Sequence, residues 1–176
     1  ETAVLNELEP HIKLSKKQEK VLLLCDQGPN IFMSGPGGTG KSFLIQLIIK
    51  RYLHKQIQVC ALTGCAAELL GCNAKTVHSW SGTGVSRKSI DNIIMSISCR
   101  KDCMKAWKKV DILIVDEVSM MSLKYFETLD KIGRRIRNVD TPFGGIQLIF
   151  SGDFYQLPPV GDNTDITTSQ FCFESP

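Results

Sequence analysis

Eight consecutive residues, Gly35-Pro36-Gly37-Gly38-Thr39-Gly40-Lys41-Ser42, constrain this chain more than any other stretch. They satisfy the phosphate-binding pattern G-x-x-x-x-G-K-[ST] at every fixed position. A triphosphate is wrapped by successive backbone N–H groups, and glycine lets a backbone curl that tightly and approach that closely. Lys41 is then placed to reach the β- and γ-phosphates as a point charge, and the Ser42 hydroxyl to serve as a ligand of Mg²⁺. The flanks agree. Ile31-Phe32-Met33 reads as a buried strand, while Phe43, Leu44, Leu47 and Ile48 recur at helical spacing, so the loop opens a helix whose N-terminus favours anions. The stretch implies a bound nucleoside triphosphate contacted by residues 35–43, Phe43 included.

A second element answers the first. Asp111-Ile112-Leu113-Ile114-Val115 reads as a buried strand that delivers Asp116-Glu117. Acidic residues leaving the end of a central strand complete a Mg²⁺ site opposite Ser42. Asp116 is assigned to the metal and Glu117 to polarising the attacking water. Adjacent side chains on a straight strand point opposite ways, so the pair must sit where the strand ends. The alternative is that the pair caps the following helix.

Residues 1–13 read as a loosely structured lead-in interrupted by Pro10, with one domain over 14–176. Val21, Leu22 and Leu24 then form a helical stripe ending at Gly28-Pro29. Ser15 with Gln18 three residues later makes a capping box. The other reading puts the Gln18 amide, donor and acceptor at once, on the matching edge of adenine. The helix after the phosphate loop extends to about Leu53, and residues 57–62 alternate into a buried strand. Thr63-Gly64-Cys65-Ala66-Ala67 leaves that strand through small residues, which leave room for something to approach the backbone.

Residues 76–84 read as a polar loop holding His78, Ser79 and Trp80. Either its rings simply pack, or they stack a base while the polar groups meet a backbone phosphate. Residues 86–109 are helical in pattern, basic and without evident chemistry. Residues 123–139 form an amphipathic helix, with Phe126, Leu129, Ile132 and Ile136 inward and Lys131, Arg134, Arg135 and Arg137 outward. A turn at 141–145 leads to a fourth strand at 146–150, which ends in Ser151-Gly152-Asp153-Phe154-Tyr155-Gln156-Leu157-Pro158-Pro159-Val160. Gln156 is placed there to sense the γ-phosphate, unless the run is only a proline-stiffened surface loop. The tail turns apolar at Phe171 and Phe173 without a closing element.

The 176 residues are enough for one domain with a real core. No apolar run approaches the roughly 20 residues of a membrane span, and no signal-peptide pattern opens the chain. A net charge of +3 is compatible with nucleic acid without pointing to it. The seven cysteines include no C-x-x-C pair, and Cys99 and Cys103 have no second pair nearby to complete a zinc site. Cys25 and Cys60 sit in apolar runs as small core residues. The set reads as free thiols in a reducing compartment.

In this order and combination, the segments resemble the N-terminal RecA-like domain of Pif1-type DNA helicases of superfamily 1. Residues 14–18 match the Q motif, 35–42 motif I, 63–71 motif Ia, and 76–84 the T-x-H-S-aromatic segment. Residues 115–120 match motif II, 152–160 motif III, and 126–145 the stretch peculiar to the family. The resemblance covers nearly everything from Leu14 onward. It implies a three-layer α/β RecA-like P-loop NTPase domain with a mostly parallel central sheet. It further implies ATP and Mg²⁺ as cofactors, and 5′ to 3′ translocation on single-stranded DNA. Duplex or G-quadruplex junctions would be unwound, in replication, repair or telomere maintenance. Gln18 would contact adenine, and Lys41, Ser42, Asp116 and Glu117 would perform phosphoryl transfer. Gln156 would couple the γ-phosphate to movement, and Thr63, Gly64, His78, Ser79 and Trp80 would line the DNA path.

The family pattern also has a second RecA-like domain, with an arginine that stabilises charge on the γ-phosphate and is worth roughly 10³–10⁵ in rate. Nothing in this sequence matches it, so the chain reads as one motor half that binds Mg·ATP, hydrolyses it feebly and unwinds nothing alone. Other P-loop ATPases, such as AAA+ or packaging motors, share motifs I and II but give no reason for Gln18 or the Gln156-Leu157-Pro158-Pro159 run. A nucleoside kinase would need an acceptor pocket and lid arginines. A degenerate binding module would not keep Lys41, Ser42, Asp116 and Glu117 together.

Overall fold

Strand β4 (Ile112–Asp116) shows why the chain folds as it does. Its four apolar residues, Ile112 to Val115, are all inaccessible to solvent. Ile112 and Ile114 pack on one face of the sheet, Leu113 and Val115 on the other. A strand covered on both faces has to be apolar at every position, which is why it reads as an unbroken run.

The computed structural model describes residues 14–84, 89–162 and 164–175. The 1–13 lead-in and part of the 86–109 region lie outside them. Five strands form one sheet in the order β1-β5-β4-β2-β3, every pairing parallel. They are β1 (Ile31–Ser34), β2 (Ile57–Ala61), β3 (Lys75–Thr76), β4 and β5 (Gln147–Gly152). Helices α1 (Lys16–Gln27), α2 (Lys41–Arg51) and α3 (Gly64–Leu70) cover one face, burying Leu22, Leu44, Ile45, Ile48 and Leu70 against Ile31, Met33, Val59 and Ile149. The other face carries α4 (Val77–Ser81), α5 (Ile90–Ser98), α6 (Lys101–Lys109) and α7 (Leu123–Arg137), packed through Trp80, Ile97, Trp107, Leu129 and Ile132. The three-layer parallel α/β arrangement expected from sequence is present.

The structure corrects several details. Residues 76–84 are not a loop: Thr76 closes β3, and its hydroxyl accepts from Ser79 N to cap α4. The strand expected as the fourth is the fifth, because Lys75–Thr76 pairs with Cys60 and Ala61 at the sheet edge. Arg137 does not face outward. Its guanidinium donates to the carbonyls of Gly144 (2.7 Å), Trp107 (2.8 Å), Val110 (3.0 Å) and Lys108 (3.2 Å), tying α7 to the end of α6. The tail also docks: Leu123 N donates to Gln170 O (2.9 Å) and Cys172 N to Met121 O (3.2 Å), while Phe171 and Phe173 stack on each other beside Phe154 and Phe32.

Candidate nucleotide and nucleic-acid site

Because all five strands are parallel, every loop that leaves a strand's carboxyl end opens on the same rim of the sheet, where open α/β sheets bind ligands. The phosphate loop leaves β1 and is tied to the neighbouring strand by Gly35 N donating to Gly152 O (3.3 Å). Gly38 (φ +76°) and Gly40 (φ +84°) occupy the left-handed region, which an L side chain disfavours. Thr39 Oγ1 donates to Pro36 O (2.8 Å), closing the loop on itself. Gly40 starts α2 with no side-chain cap, so the helix's first N–H groups remain for an anion. Lys41 Nζ donates to the carbonyls of Gly35 (2.6 Å) and Pro36 (3.1 Å), which park the ammonium on the loop.

Gln18 carries the capping box. Its Oε1 accepts from Ser15 N (2.9 Å), and Ser15 Oγ accepts from Gln18 N (3.3 Å). Its Nε2 points to Thr39 O (3.5 Å), and a Cβ on Gly40 would lie 2.8 Å from that nitrogen. The Q-motif glutamine thus touches the phosphate loop while capping α1.

Asp116 ends β4 and is only 5% exposed, and its Oδ1 accepts from Glu117 N (3.0 Å). Glu117 adopts a left-handed conformation (φ 58°, ψ 36°), which turns the chain out of the strand so that two adjacent acids serve one rim. Such strain in a non-glycine residue clusters at functional sites. The Glu117 carboxylate makes no cap bond to the turn that follows, so the capping alternative is not realised. Burial, reinforced by the negative charge of Asp116, raises the Glu117 carboxyl above its ordinary range, while Lys41 pulls the other way.

Gln156 is exposed, and its Nε2 donates to Asp153 Oδ2 (3.1 Å). Asp153, whose Oδ1 also accepts from Tyr155 N (3.1 Å), shapes the turn after β5. The Tyr155 N–H holds its carboxyl below the usual range despite burial, helped by the Gln156 amide and Lys41.

The other half of the rim carries the remaining candidates. Thr63 follows β2 and caps α3, its Oγ1 accepting from Ala66 N (3.2 Å), with Gly64 exposed beside it. Ser79 is exposed on α4. His78 is half-buried and stacks on Tyr125, with ring centroids 4.4 Å apart and planes 10° off parallel. Burial lowers its imidazole below the ordinary value. Trp80 is a correction: only 4% exposed, its indole packs against Trp107 at 4.6 Å and offers no open face to a base. A short helix over a sheet edge buries its largest apolar ring first, and a facing indole was available. Among the described residues no cluster of three or more metal-ligating side chains occurs, in keeping with cysteines that are all free.

Comparison with known proteins gives the family. The family model for PIF1-like helicases matches residues 13–175. The chain belongs to the PIF1-like helicase family. The ATP-dependent DNA helicase RRM3 of Saccharomyces cerevisiae is 42% identical over 169 residues, covering 93% of this chain and 23% of that protein. The crystal structure of the Pif1 helicase from Candida albicans superimposes with a TM-score of 0.84 at 40% identity, over 93% of this chain and 36% of that one. A crystal structure of the Bacteroides Pif1 helicase in complex with ADP-AlF3 and single-stranded DNA gives 0.78 at 28% identity, over 93% and 39%. The chain thus spans under a quarter of the curated RRM3 relative, and between a third and two fifths of the two solved chains.

In this PIF1-like domain, two further residues stand at the rim. Asp153, inside motif III, is an acid directly after a strand end and carries the same signal in sequence as Asp116. Tyr125 gave no signal at all, since a tyrosine at a helical position reads as packing.

Proposed function

We propose that this chain is a nucleotide-binding motor domain of an ATP-dependent DNA helicase that moves 5′ to 3′ on single-stranded DNA and unwinds duplex or G-quadruplex junctions. The observation that carries the reading is the division of one rim. Motifs I, II and III leave β1, β4 and β5 at one side, and the 63–64 and 76–84 segments leave β2 and β3 at the other. The Bacteroides relative solved with ADP-AlF3 and single-stranded DNA supports both ligands.

In the reaction, residues 35–42 wrap the phosphates and Lys41 exchanges two loop carbonyls for phosphate oxygens. Gln18 reads adenine at the loop's flank. Asp116 and Ser42 would hold Mg²⁺, which supplies charge neutralisation between the phosphates when bound. The fit is good, because Mg²⁺ is commonly held by one or two carboxylates plus substrate phosphates, and Asp116 is a carboxylate almost fully buried at the end of β4. Glu117 takes a proton from the attacking water, and Gln156, set by Asp153, follows the γ-phosphate. Thr63, Gly64, His78 and Ser79 face DNA, with Trp80 supporting them from beneath.

Arginines 51, 100, 134, 135 and 137 are engaged away from the loop, with Asp26, Gly82, Asp130, Asp91 and Gly144 respectively. On this reading the arginine that meets γ-phosphate charge belongs to a second RecA-like domain rather than to any of these five. The chain alone is expected to bind Mg·ATP, hydrolyse it slowly and unwind nothing. Free thiols fit work inside the cell in a reducing compartment, the nucleus or mitochondrion in a eukaryote or the host interior for a virus.

The test is fluorescence anisotropy of labelled oligo-dT titrated with the chain across salt, with and without Mg·ADP and aluminium fluoride. Salt-sensitive binding that shifts with nucleotide is expected. Failure to bind at low salt would remove DNA from this half of the motor.

A further inference from the structure

Tyr125 stands where the two halves of the rim meet. It lies in the first turn of α7, and Ser122 Oγ, the cap of that helix, accepts from its backbone N–H (3.2 Å). Only residues 118–122, opening with the Val118–Met120 turn, separate α7 from Glu117 and its strained backbone. From there the side chain crosses to the DNA-facing segment and holds it at two places. Its ring lies flat on His78 at the start of α4. Its hydroxyl lies 2.9 Å from Thr83 Oγ1 and 3.4 Å from Ser81 Oγ, and those two hydroxyls are 2.9 Å from each other.

Packing alone does not ask for this arrangement. A phenylalanine would fill the same space, whereas a buried hydroxyl has to be given partners. Ser81 and Thr83 are 0% and 7% exposed, so their hydroxyls are satisfied by each other and by that of half-buried Tyr125. Ser79, exposed like Gly84 at the segment's end, lies between the two points of grip.

The nucleotide side presses on the same turn. A Cβ on Gly152, at the end of β5 just before Asp153, would lie 3.0 Å from Val118 Cγ2 and 3.1 Å from Ser119 N. The motif III strand end and the turn leading to α7 therefore touch without slack, and close-packed elements transmit displacement rather than absorb it. This contact gives motif III a contiguous path through Val118 and the start of α7 to Tyr125.

We infer that Tyr125 is a positioning residue that couples the nucleotide state of motifs II and III to the DNA-facing segment 76–84, through its ring on His78 and its hydroxyl shared with Ser81 and Thr83. The inference rests on the helicase reading above. Couplings of this kind typically change affinity about 5- to 150-fold.

The experiment compares oligo-dT affinity with and without Mg·ADP and aluminium fluoride in the unsubstituted chain, in Tyr125→Phe and in Thr83→Val. Tyr125→Phe is expected to bring the ratio of the two affinities to within about twofold of one, against the larger ratio of the unsubstituted chain. Its affinity for Mg·ADP without DNA should stay unchanged, which a merely structural loss would not allow. Thr83→Val should give the same loss and the double variant no more, the signature of one shared interaction. If Tyr125→Phe melts early, Thr83→Val decides the matter, because it removes the hydroxyl's nearer partner and keeps the ring. A ratio that survives in both variants overturns the inference while leaving the helicase reading intact. An unsubstituted chain whose dT binding ignores nucleotide overturns that reading, and the inference with it.

Discussion

Glu117→Gln is expected to leave Mg·ATP affinity within about twofold and to lower single-turnover hydrolysis by about 10²–10⁴-fold, the usual worth of a positioned general base. The two acids of motif II are adjacent, and their surroundings separate their roles. Asp116 is the last residue of β4, is almost fully buried and already has one oxygen on the Glu117 N–H. It is fixed in place, as a ligand should be. Glu117 is turned out of the strand by its left-handed backbone and carries no capping bond. The amide keeps the shape and loses only the basic oxygen. Nucleotide binding by a fluorescent analogue, set beside single-turnover hydrolysis, separates the two roles. Turnover persisting near the unsubstituted rate would move the base elsewhere, with Asp153 the next acid on the rim.

How much of this was legible depended on whether a residue's role follows from its neighbours in sequence. The phosphate loop was fully readable because its chemistry is backbone chemistry, and glycine spacing records it. Strand β4 was readable because burial on both faces leaves no polar position. By contrast, β3 is two residues long, Lys75–Thr76, too short for any period, and exists only because the end of β2 is there to pair with it. The fate of Trp80 was decided by Trp107, 27 positions later, a contact no local pattern contains. The same holds for Arg137, which falls on the polar side of the helical stripe yet reaches four carbonyls on other elements. Gln18 showed the opposite case. Its capping role was legible, and the same amide also reaches the phosphate loop, while its contact with adenine is a proposal.

Gly133→Ala is expected to destabilise the domain by about 1–3 kcal/mol, the usual cost of forcing a group into a filled site, and Gly133→Val by more. Helix propensity predicts the opposite sign, because alanine in a helix interior outranks glycine by about 1 kcal/mol. Tertiary contact wins here for a specific reason. A Cβ at Gly133 would lie 2.8 Å from Phe143 O and 2.9 Å from Phe143 C, both backbone atoms that no rotamer change can move. The loop cannot retreat cheaply. Phe143 N donates to Asp130 Oδ1 (2.7 Å), Gly144 N donates to Thr141 O (2.8 Å), and Gly144 O accepts from the Arg137 guanidinium. The contact is also reciprocal, since a Cβ on Gly144 would lie 2.6 Å from Gly133 O. Helix α7 and the 141–145 turn thus meet backbone to backbone, which explains the glycines at 133 and 144. For a domain of this size each kcal/mol moves Tm by roughly 2–4 °C. Thermal melts of Gly133→Ala beside Arg137→Met, which removes the guanidinium's grip on the same loop, should both fall below the unsubstituted chain. A Gly133→Ala melt that rises instead would mean the close approach is not there, and the turn would lose its role in fixing α7 beneath the rim.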